Sequence, residues 1–272
     1  MTRRALTRAR NKLLLAALVA VPLACGSASE PAIKLPPPRA IAKRCGTAAA
    51  GASAPFWFRA SDGAIIDGAV LGHGRAGVVL ASGWPGELCG ELDYAQRLAG
   101  AGYRVLVFDF RSRGSAPVPK GAAAQNRYSA DLAGAARQLR KRGVEEVFLL
   151  GESFGGTAVL AGAPKLDPAP AGVISLSGPA SLSVQFGGVP DLDGVARARS
   201  LRSPLLILAA RDDGVILMSD ERELVRRAAT RDKRLIVYPG AWHASELLYR
   251  APYRAKVDRT ILRFLAAHSK ER

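Results

Sequence analysis

Short apolar runs alternate with longer amphipathic segments along most of this chain. The apolar runs that we predict to be strands are 78–81, 104–110, 146–150, 173–176, 205–210 and 235–238. The segments that we predict to be helices are 92–101, 129–142, 154–161, 220–229 and 253–267. Runs that are apolar throughout are typical of parallel strands buried on both faces. Their alternation with helices predicts an α/β fold with a mostly parallel central sheet and helices on both faces.

The pattern also sets the limits of the folded unit. Segments 56–59 and 64–71 alternate apolar and polar residues, which predicts an antiparallel hairpin at the leading edge of the sheet. From there the βα alternation continues without an internal repeat, so we predict one domain over residues 55–272. Residues 177–203 belong to none of the predicted strands and helices. This stretch is long enough for a loop and a short helix, which predicts a minimal cap and an open site.

One strand-to-helix junction carries the sequence Gly151-Glu152-Ser153-Phe154-Gly155-Gly156. Glycines on both sides of the serine allow a strand and a helix to pass closely. The serine is left at the tip of the turn, near a helix N-terminus whose dipole favours developing negative charge. A Gly-x-Ser-x-Gly in this context indicates a nucleophile elbow, with Ser153 as the candidate nucleophile.

A serine nucleophile needs a base and a carboxylate that orients the base. Of the three histidines, His243 follows the last predicted strand and a Pro-Gly turn, whereas His73 lies in a Gly-rich stretch and His268 near the C-terminus. We therefore expect His243 to be the base. The acid should follow another buried strand, and the run 205–210 ends in Arg211 followed by Asp212 and Asp213.

From about residue 56 to 264 the chain resembles the α/β-hydrolase family, and within it the small, cap-poor dienelactone-hydrolase-like or esterase-like members. Besides the elbow, the resemblance rests on the strand and loop at 77–86 and on segment 99–111, which ends in Asp109-Phe110-Arg111. It implies the α/β-hydrolase fold and a serine esterase that hydrolyses carboxylic esters. The family places a Val or Ile three residues after the acid, a pattern that favours Asp212 with Val215, and Asp213 is the alternative.

The resemblance also implies an oxyanion hole formed by backbone amides, those of Phe154 and Trp84. Many relatives carry His-Gly where this chain has Ser82-Gly83, but backbone donors do not depend on that histidine. Two other roles remain open for Trp84, as a wall of the acyl pocket or as an aromatic that packs under the loop. We predict no metal and no cofactor, because the chain has no Cys-x-x-Cys, no closely spaced histidines and no P-loop lysine.

The first 25 residues have the pattern of an export signal. Five basic side chains precede an apolar stretch at 13–23, which is too short to span a membrane, and small residues surround Cys25. This junction resembles a lipoprotein cleavage site with Cys25 as the lipidated residue, and ordinary cleavage with release is the alternative. Residues 26–54 are rich in Ala, Pro and Gly, which predicts a tether. The protein is thus expected in the cell envelope as a lipoprotein, or secreted.

Two further cysteines, Cys45 and Cys89, form an even pair once Cys25 is removed or lipidated. An exported compartment favours a disulfide between them, and two inert buried thiols are the alternative.

The chain is strongly basic, with a formal net charge of +16, of which about +11 remains without the first 25 residues. The arginines are scattered over predicted helix faces without interleaved aromatics, which argues against a nucleic-acid partner. We therefore expect a small-molecule or envelope-derived ester as substrate. Alternatives on the same residues are a peptidase, an acyltransferase, or an inactive hydrolase-like binding protein.

Overall fold

The computed structural model describes residues 35, 40–46 and 54–270, and a single eight-stranded sheet organises the fold of 54–270. The strands are β1 (Phe56–Arg59), β2 (Ile65–Leu71), β3 (Ala76–Ala81), β4 (Arg104–Phe108), β5 (Glu146–Glu152), β6 (Gly172–Leu176), β7 (Leu205–Ala210) and β8 (Lys233–Tyr238). Their order in the sheet is β1-β2-β4-β3-β5-β6-β7-β8. β2 pairs antiparallel with β1 and β4, and all other neighbours are parallel. The predicted sheet and its leading hairpin are confirmed.

Helices cover both faces of this sheet. They are α1 (Ile41–Cys45), α2 (Leu92–Gly100), α3 (Ala122–Gln125), α4 (Tyr128–Lys141), α5 (Ser153–Gly162), α6 (Gly194–Arg197), α7 (Met218–Arg227), α8 (Glu246–Tyr249) and α9 (Arg254–Ala267). One apolar core joins the sheet to α4, α5 and α7, and the other joins it to α2, α8 and α9. Successive strand residues face opposite cores, as Val78 and Val79 do, because side chains alternate along a strand.

The connection between β6 and β7 contains little regular secondary structure. It contains the 3₁₀ turn Pro190–Leu192, the four-residue α6 and the 3₁₀ turn Ala198–Ser200. The minimal cap predicted from the length of this stretch is therefore confirmed. Within the described part of the chain, none of the helices combines the length and the apolar character needed to cross a membrane.

Residues 40–46, which the sequence places in the tether, lie on the folded unit. Ile41 of α1 is buried in the core that contains α2 and α9. Cys45 is bonded to Cys89, with a Cα–Cα distance of 5.2 Å. The predicted export signal, its Cys25 and most of the predicted tether lie outside the described residues.

Candidate active site

Ser153 lies at the sharp turn between β5 and α5. Its backbone adopts a φ of 46°, in the left-handed region that is strained for a residue with a side chain. The turn is so close that a Cβ on Gly151 would lie 2.3 Å from the Gly155 carbonyl oxygen, and a Cβ on Gly155 would lie 2.1 Å from that of Ala81. Glycine is therefore required at both positions, and the turn holds the serine at the carboxyl edge of the sheet.

His243 lies within hydrogen-bonding distance of this serine. Its Nε2 is 2.9 Å from Ser153 Oγ, and its backbone amide donates to Glu246 Oε2 at 3.2 Å. The loop after β8 carries the imidazole to the edge of the sheet where β5 also ends. The other two histidines lie elsewhere: His268 contacts Asp232, and His73 is on the loop between β2 and β3.

The carboxylate that faces His243 belongs to Asp213. The imidazole Nδ1 lies 3.0 Å from Asp213 Oδ1 and 2.8 Å from Oδ2, and the Asp213 side chain is fully buried. Asp212 is exposed, and its backbone amide donates to the Gly240 carbonyl oxygen. The choice of Asp212 over Asp213 was therefore wrong. In the turn after β7 the two adjacent side chains point in opposite directions, and spacing along the chain cannot distinguish them.

The loop after β3 lies against the nucleophile. A Cβ on Gly83 would be 3.5 Å from Ser153 Cβ, and the amide of Gly86 donates to the Gly83 carbonyl oxygen. The loop therefore makes a tight turn directly beside the serine. Phe154, whose amide is the other donor expected from sequence, is the second residue of α5. Both peptide segments expected to form an oxyanion hole are thus adjacent to Ser153.

The Trp84 ring does not pack under this loop. It is 54% exposed, and its centroid lies 5.6 Å from the Phe154 ring and 5.2 Å from the Phe186 ring. The Arg113 guanidinium carbon lies 4.1 Å from the Trp84 ring centroid. Within the described part of the chain, no carboxylate pairs with Arg113. An exposed aromatic ring that carries a guanidinium therefore packs against Phe154, the residue that follows the nucleophile.

Sequence reasoning missed three glutamates, of which Glu91 and Glu221 are buried and Glu152 is half-buried. Glu91 ends the 3₁₀ turn Leu88–Glu91, Glu152 precedes the nucleophile, and Glu221 lies on α7. Burial raises the pKa of Glu221 to about 8, and the nearby Asp220 and Asp213 carboxylates add to this effect. Only Glu152 could have been found from the sequence, because it lies within the nucleophile elbow directly before Ser153. The other two are brought in by contacts between distant segments.

No three His, Cys, Asp or Glu side chains come together as a metal site in the part of the chain that the structure describes. The chemistry available to the site is thus that of a hydroxyl, an imidazole, a buried carboxylate and backbone amides.

This fold and this site define a serine hydrolase of the α/β-hydrolase class. The family model described as serine aminopeptidase, S33, matches residues 72–190 and 193–247, which is more than half of the chain. The chain belongs to this family. No curated protein sequence matches it.

Solved structures show the same architecture. A monoacylglycerol lipase of Paleococcus ferrophilus is 20% identical, with a TM-score of 0.63 over 75% of this chain and 99% of that one. An esterase of Pyrococcus furiosus is 16% identical, with a TM-score of 0.66 over 78% and 90%. A proline iminopeptidase of Mycobacterium smegmatis is 15% identical, with a TM-score of 0.61 over 79% and 98%. At these identities the likeness concerns the fold.

Proposed function

We propose that this chain is an exported serine hydrolase that cleaves carboxylic esters through a covalent acyl-enzyme. The observation that carries the proposal is the hydrogen-bonded series from Ser153 through His243 to Asp213. A hydroxyl that contacts one imidazole nitrogen, while a buried carboxylate faces the other, is the arrangement that activates serine for attack on a carbonyl carbon.

The proposed reaction uses these groups in turn. His243 Nε2 accepts the proton of Ser153 as Oγ attacks the carbonyl carbon, while Asp213 holds the imidazole and stabilises its charged form. The amides of Phe154 and Trp84 stabilise the oxyanion, each by about 3 kcal/mol. The imidazolium then protonates the leaving alcohol. Water, activated by the same base, attacks the acyl-enzyme, and the carboxylic acid leaves.

The surroundings of Ser153 favour a small-molecule or envelope-derived ester. The exposed Trp84 ring and the neighbouring Phe186 ring provide an aromatic wall beside the nucleophile. The minimal cap leaves this wall open, which suits substrates that do not need a deep enclosed pocket. The names of two structural neighbours, a monoacylglycerol lipase and an esterase, also support ester chemistry.

A peptidase is the second candidate function. The family description and the proline iminopeptidase among the structural neighbours favour it. The same serine and base also suit an acyltransferase, in which an alcohol or amine replaces water. An inactive binding protein is disfavoured, because Ser153 and His243 keep a hydrogen bond of 2.9 Å.

The test is covalent labelling followed by a substrate comparison. We expect a fluorophosphonate to add one adduct to the mature protein at Ser153, and none to the Ser153→Ala and His243→Ala variants, as read by intact mass. Paired aryl ester, aryl amide and aminoacyl amide substrates then separate an esterase from a peptidase. A folded wild-type protein that takes no adduct would overturn the proposal.

The proposed location rests on the N-terminal sequence. The basic residues, the apolar stretch at 13–23 and the following Cys25 support export, with Cys25 lipidated or the protein released. Cys25→Ser distinguishes the two outcomes. If Cys25 carries the lipid, the variant moves from the membrane fraction to the soluble fraction of an expressing host. Unchanged partitioning would contradict lipidation.

A further inference from the structure

The parallel strands β3 to β8 all begin at one edge of the sheet, which we call the amino edge. Ser153 lies at the opposite, carboxyl edge, after the seven residues of β5, so the two edges are about 20 Å apart. Helices that connect parallel strands run back across the sheet, and α2, α4 and α7 therefore end at the amino edge. The amino edge is thus a face of the molecule separate from the candidate active site.

The last helix also ends at this edge. Just after α9, His268 Nε2 lies 2.8 Å from Asp232 Oδ2 in the turn before β8. The amide of Lys270 donates to Glu146, the first residue of β5, at 2.8 Å. The ends of the helices and the starts of the strands thus form one continuous surface.

Basic residues collect on this surface. The last turns of α4 and α7 contain Arg140, Lys141, Arg226 and Arg227. Basic side chains in the last turn of a helix interact favourably with the helix dipole, and this local effect accounts for these four. It does not account for basic residues that lie outside the helix ends.

Four further arginines lie at the starts of β7 and β8, outside the helix ends. All of them are exposed, and they are Arg199, Arg202, Arg231 and Arg234. The two connections that carry them are hydrogen-bonded to each other. The amide of Ala229 donates to the Ala198 carbonyl oxygen at 3.3 Å, and that of Thr230 to the Leu201 carbonyl oxygen at 3.0 Å. The fold therefore gathers arginines that are scattered along the sequence.

None of these four arginines forms an ion pair within residues 35, 40–46 and 54–270. The nearby carboxylates have other partners. Glu223 pairs with Arg226 and Arg227, and Asp232 contacts His268. The four guanidinium charges are thus not neutralised by the protein, and together they create a positive potential at this face.

A cavity of about 580 Å³ lies at the same edge, between the ends of α2 and α9. Arg75, just before β3, and Ser269 line it together with mostly apolar or small residues, which include Ala76, Ala101, Tyr103, Leu262 and Ala266. An anionic polymer presents charge without an extended apolar part, whereas an anionic phospholipid has both. The combination of exposed arginines and an apolar cavity therefore favours a lipid surface over a polymer.

We infer that the amino edge docks on an anionic lipid surface, with the four arginines against the phosphate headgroups. The cavity between α2 and α9 is then available to the apolar part of one lipid. In this orientation Ser153 faces away from the bilayer, and substrate reaches it from the aqueous side. The inference does not rest on the proposed hydrolase function, because the surface and the site lie on opposite edges.

The test is co-sedimentation with vesicles, using the mature protein with Cys25→Ser so that an attached lipid cannot contribute. We expect binding to vesicles of equal parts phosphatidylglycerol and phosphatidylcholine at about 0.1 M salt, and none to phosphatidylcholine alone. Binding should be lost at about 1 M salt, where charges are screened within about 3 Å. Failure to bind the anionic vesicles at the lower salt concentration would overturn the inference.

Two fourfold variants test whether the face matters or only the net charge. The first replaces the four amino-edge arginines with Gln. The matched control replaces four other exposed arginines, which lie in the turn after β7 and in the first halves of α7 and α9, and which are Arg211, Arg222, Arg254 and Arg259. Thermal unfolding verifies that both variants are folded.

A basic side chain near an anionic surface contributes about fivefold to the affinity. The amino-edge variant should therefore bind the anionic vesicles at least about a hundredfold more weakly than wild type. The control variant should lose much less. Equal losses in the two variants would show that net charge alone drives binding, and would overturn the inference.

Two further measurements test the partner and the orientation. Binding to inorganic polyphosphate or duplex DNA, without binding to the vesicles, would overturn the choice of a lipid surface. The rate of fluorophosphonate labelling of Ser153 should be the same for free and vesicle-bound protein. Slower labelling on vesicles would show that the carboxyl edge faces the bilayer, against the inference. If neither form is labelled, the proposed function fails, and the sedimentation result still decides the docking.

Discussion

The imidazole Nδ1 of His243 lies 2.8 Å from the nearer carboxylate oxygen of Asp213. The adjacent Asp212 is exposed to solvent. Two neighbouring aspartates therefore have different environments, one buried beside a base and one solvated. This pair offers an internal control, since each can be changed to asparagine without altering the length of the turn.

Asp213→Asn should lower kcat by about 10⁴-fold, because the amide no longer favours the imidazole tautomer that accepts the serine proton. Asp212→Asn should change kcat less than about twofold, as is usual for an exposed side chain away from the site. Steady-state hydrolysis of an aryl ester measures both. Equal losses in the two variants would mean that His243 is oriented by another group.

Arg113 should favour esters that carry a carboxylate. Its guanidinium lies over the exposed Trp84 ring without a carboxylate partner in the described part of the chain. A charge-assisted hydrogen bond to the substrate contributes about 1.5–3 kcal/mol. Arg113→Gln should therefore lower kcat/KM for a monoaryl succinate at least about tenfold.

The neutral aryl butyrate is the matched substrate for this comparison, and its kcat/KM should stay within about twofold of wild type. Arg127→Gln is the matched variant, because Arg127 is an exposed arginine that already pairs with Asp62 at 3.6 Å. If Arg113→Gln affects both substrates equally, Arg113 supports the loop and does not recognise the substrate charge.

Arg44 should be important for stability. It forms ion pairs with Asp67 and Asp109, two carboxylates whose side chains are fully buried. Removing one partner of a buried ion pair leaves an uncompensated charge, which typically destabilises a protein by about 3–5 kcal/mol. Arg44→Gln should lower the free energy of unfolding in urea by about this amount. Lys43→Gln, at the exposed neighbouring position of α1, should change it by less than about 0.5 kcal/mol. Equal effects would show that α1 is not held by this contact.

Glu221 should make stability decrease as the pH rises from 4.5 to about 8. Burial raises its pKa to about 8 in the folded state, from an ordinary value of 4.5. The folded protein keeps this proton after the unfolded chain has released it. Stability is therefore fully present below pH 4.5 and decreases as the pH rises to about 8, by roughly 1.4 kcal/mol per pH unit at most.

Glu221→Gln removes this titration. The free energy of unfolding of the variant relative to wild type should therefore increase between pH 5 and pH 9, and urea unfolding at several pH values measures it. Glu223→Gln is the control, because this carboxylate of the same helix pairs with Arg226 and Arg227, which lower its pKa to about 2, so it does not titrate over this pH range. A constant difference between Glu221→Gln and wild type would show that Glu221 is ionised in the folded protein.

Much of the fold could be predicted because its signals are local. The strand 205–210 is apolar throughout, and it forms β7 with the predicted bounds. The nucleophile elbow could also be predicted, because close contacts within one turn require the glycines around Ser153. The antiparallel hairpin at 56–71 followed from the alternation of apolar and polar residues.

The sequence by itself determined the class of fold, the elbow and the position of the base, because periodicity and turn chemistry act over a few residues. Only the tertiary structure decided between Asp212 and Asp213, since that choice depends on which side chain of one turn points inward. It also decided that Arg44 meets Asp67 and Asp109. These contacts join segments that are distant in the chain, and the burial that defines them arises only when the sheet and its helices pack together.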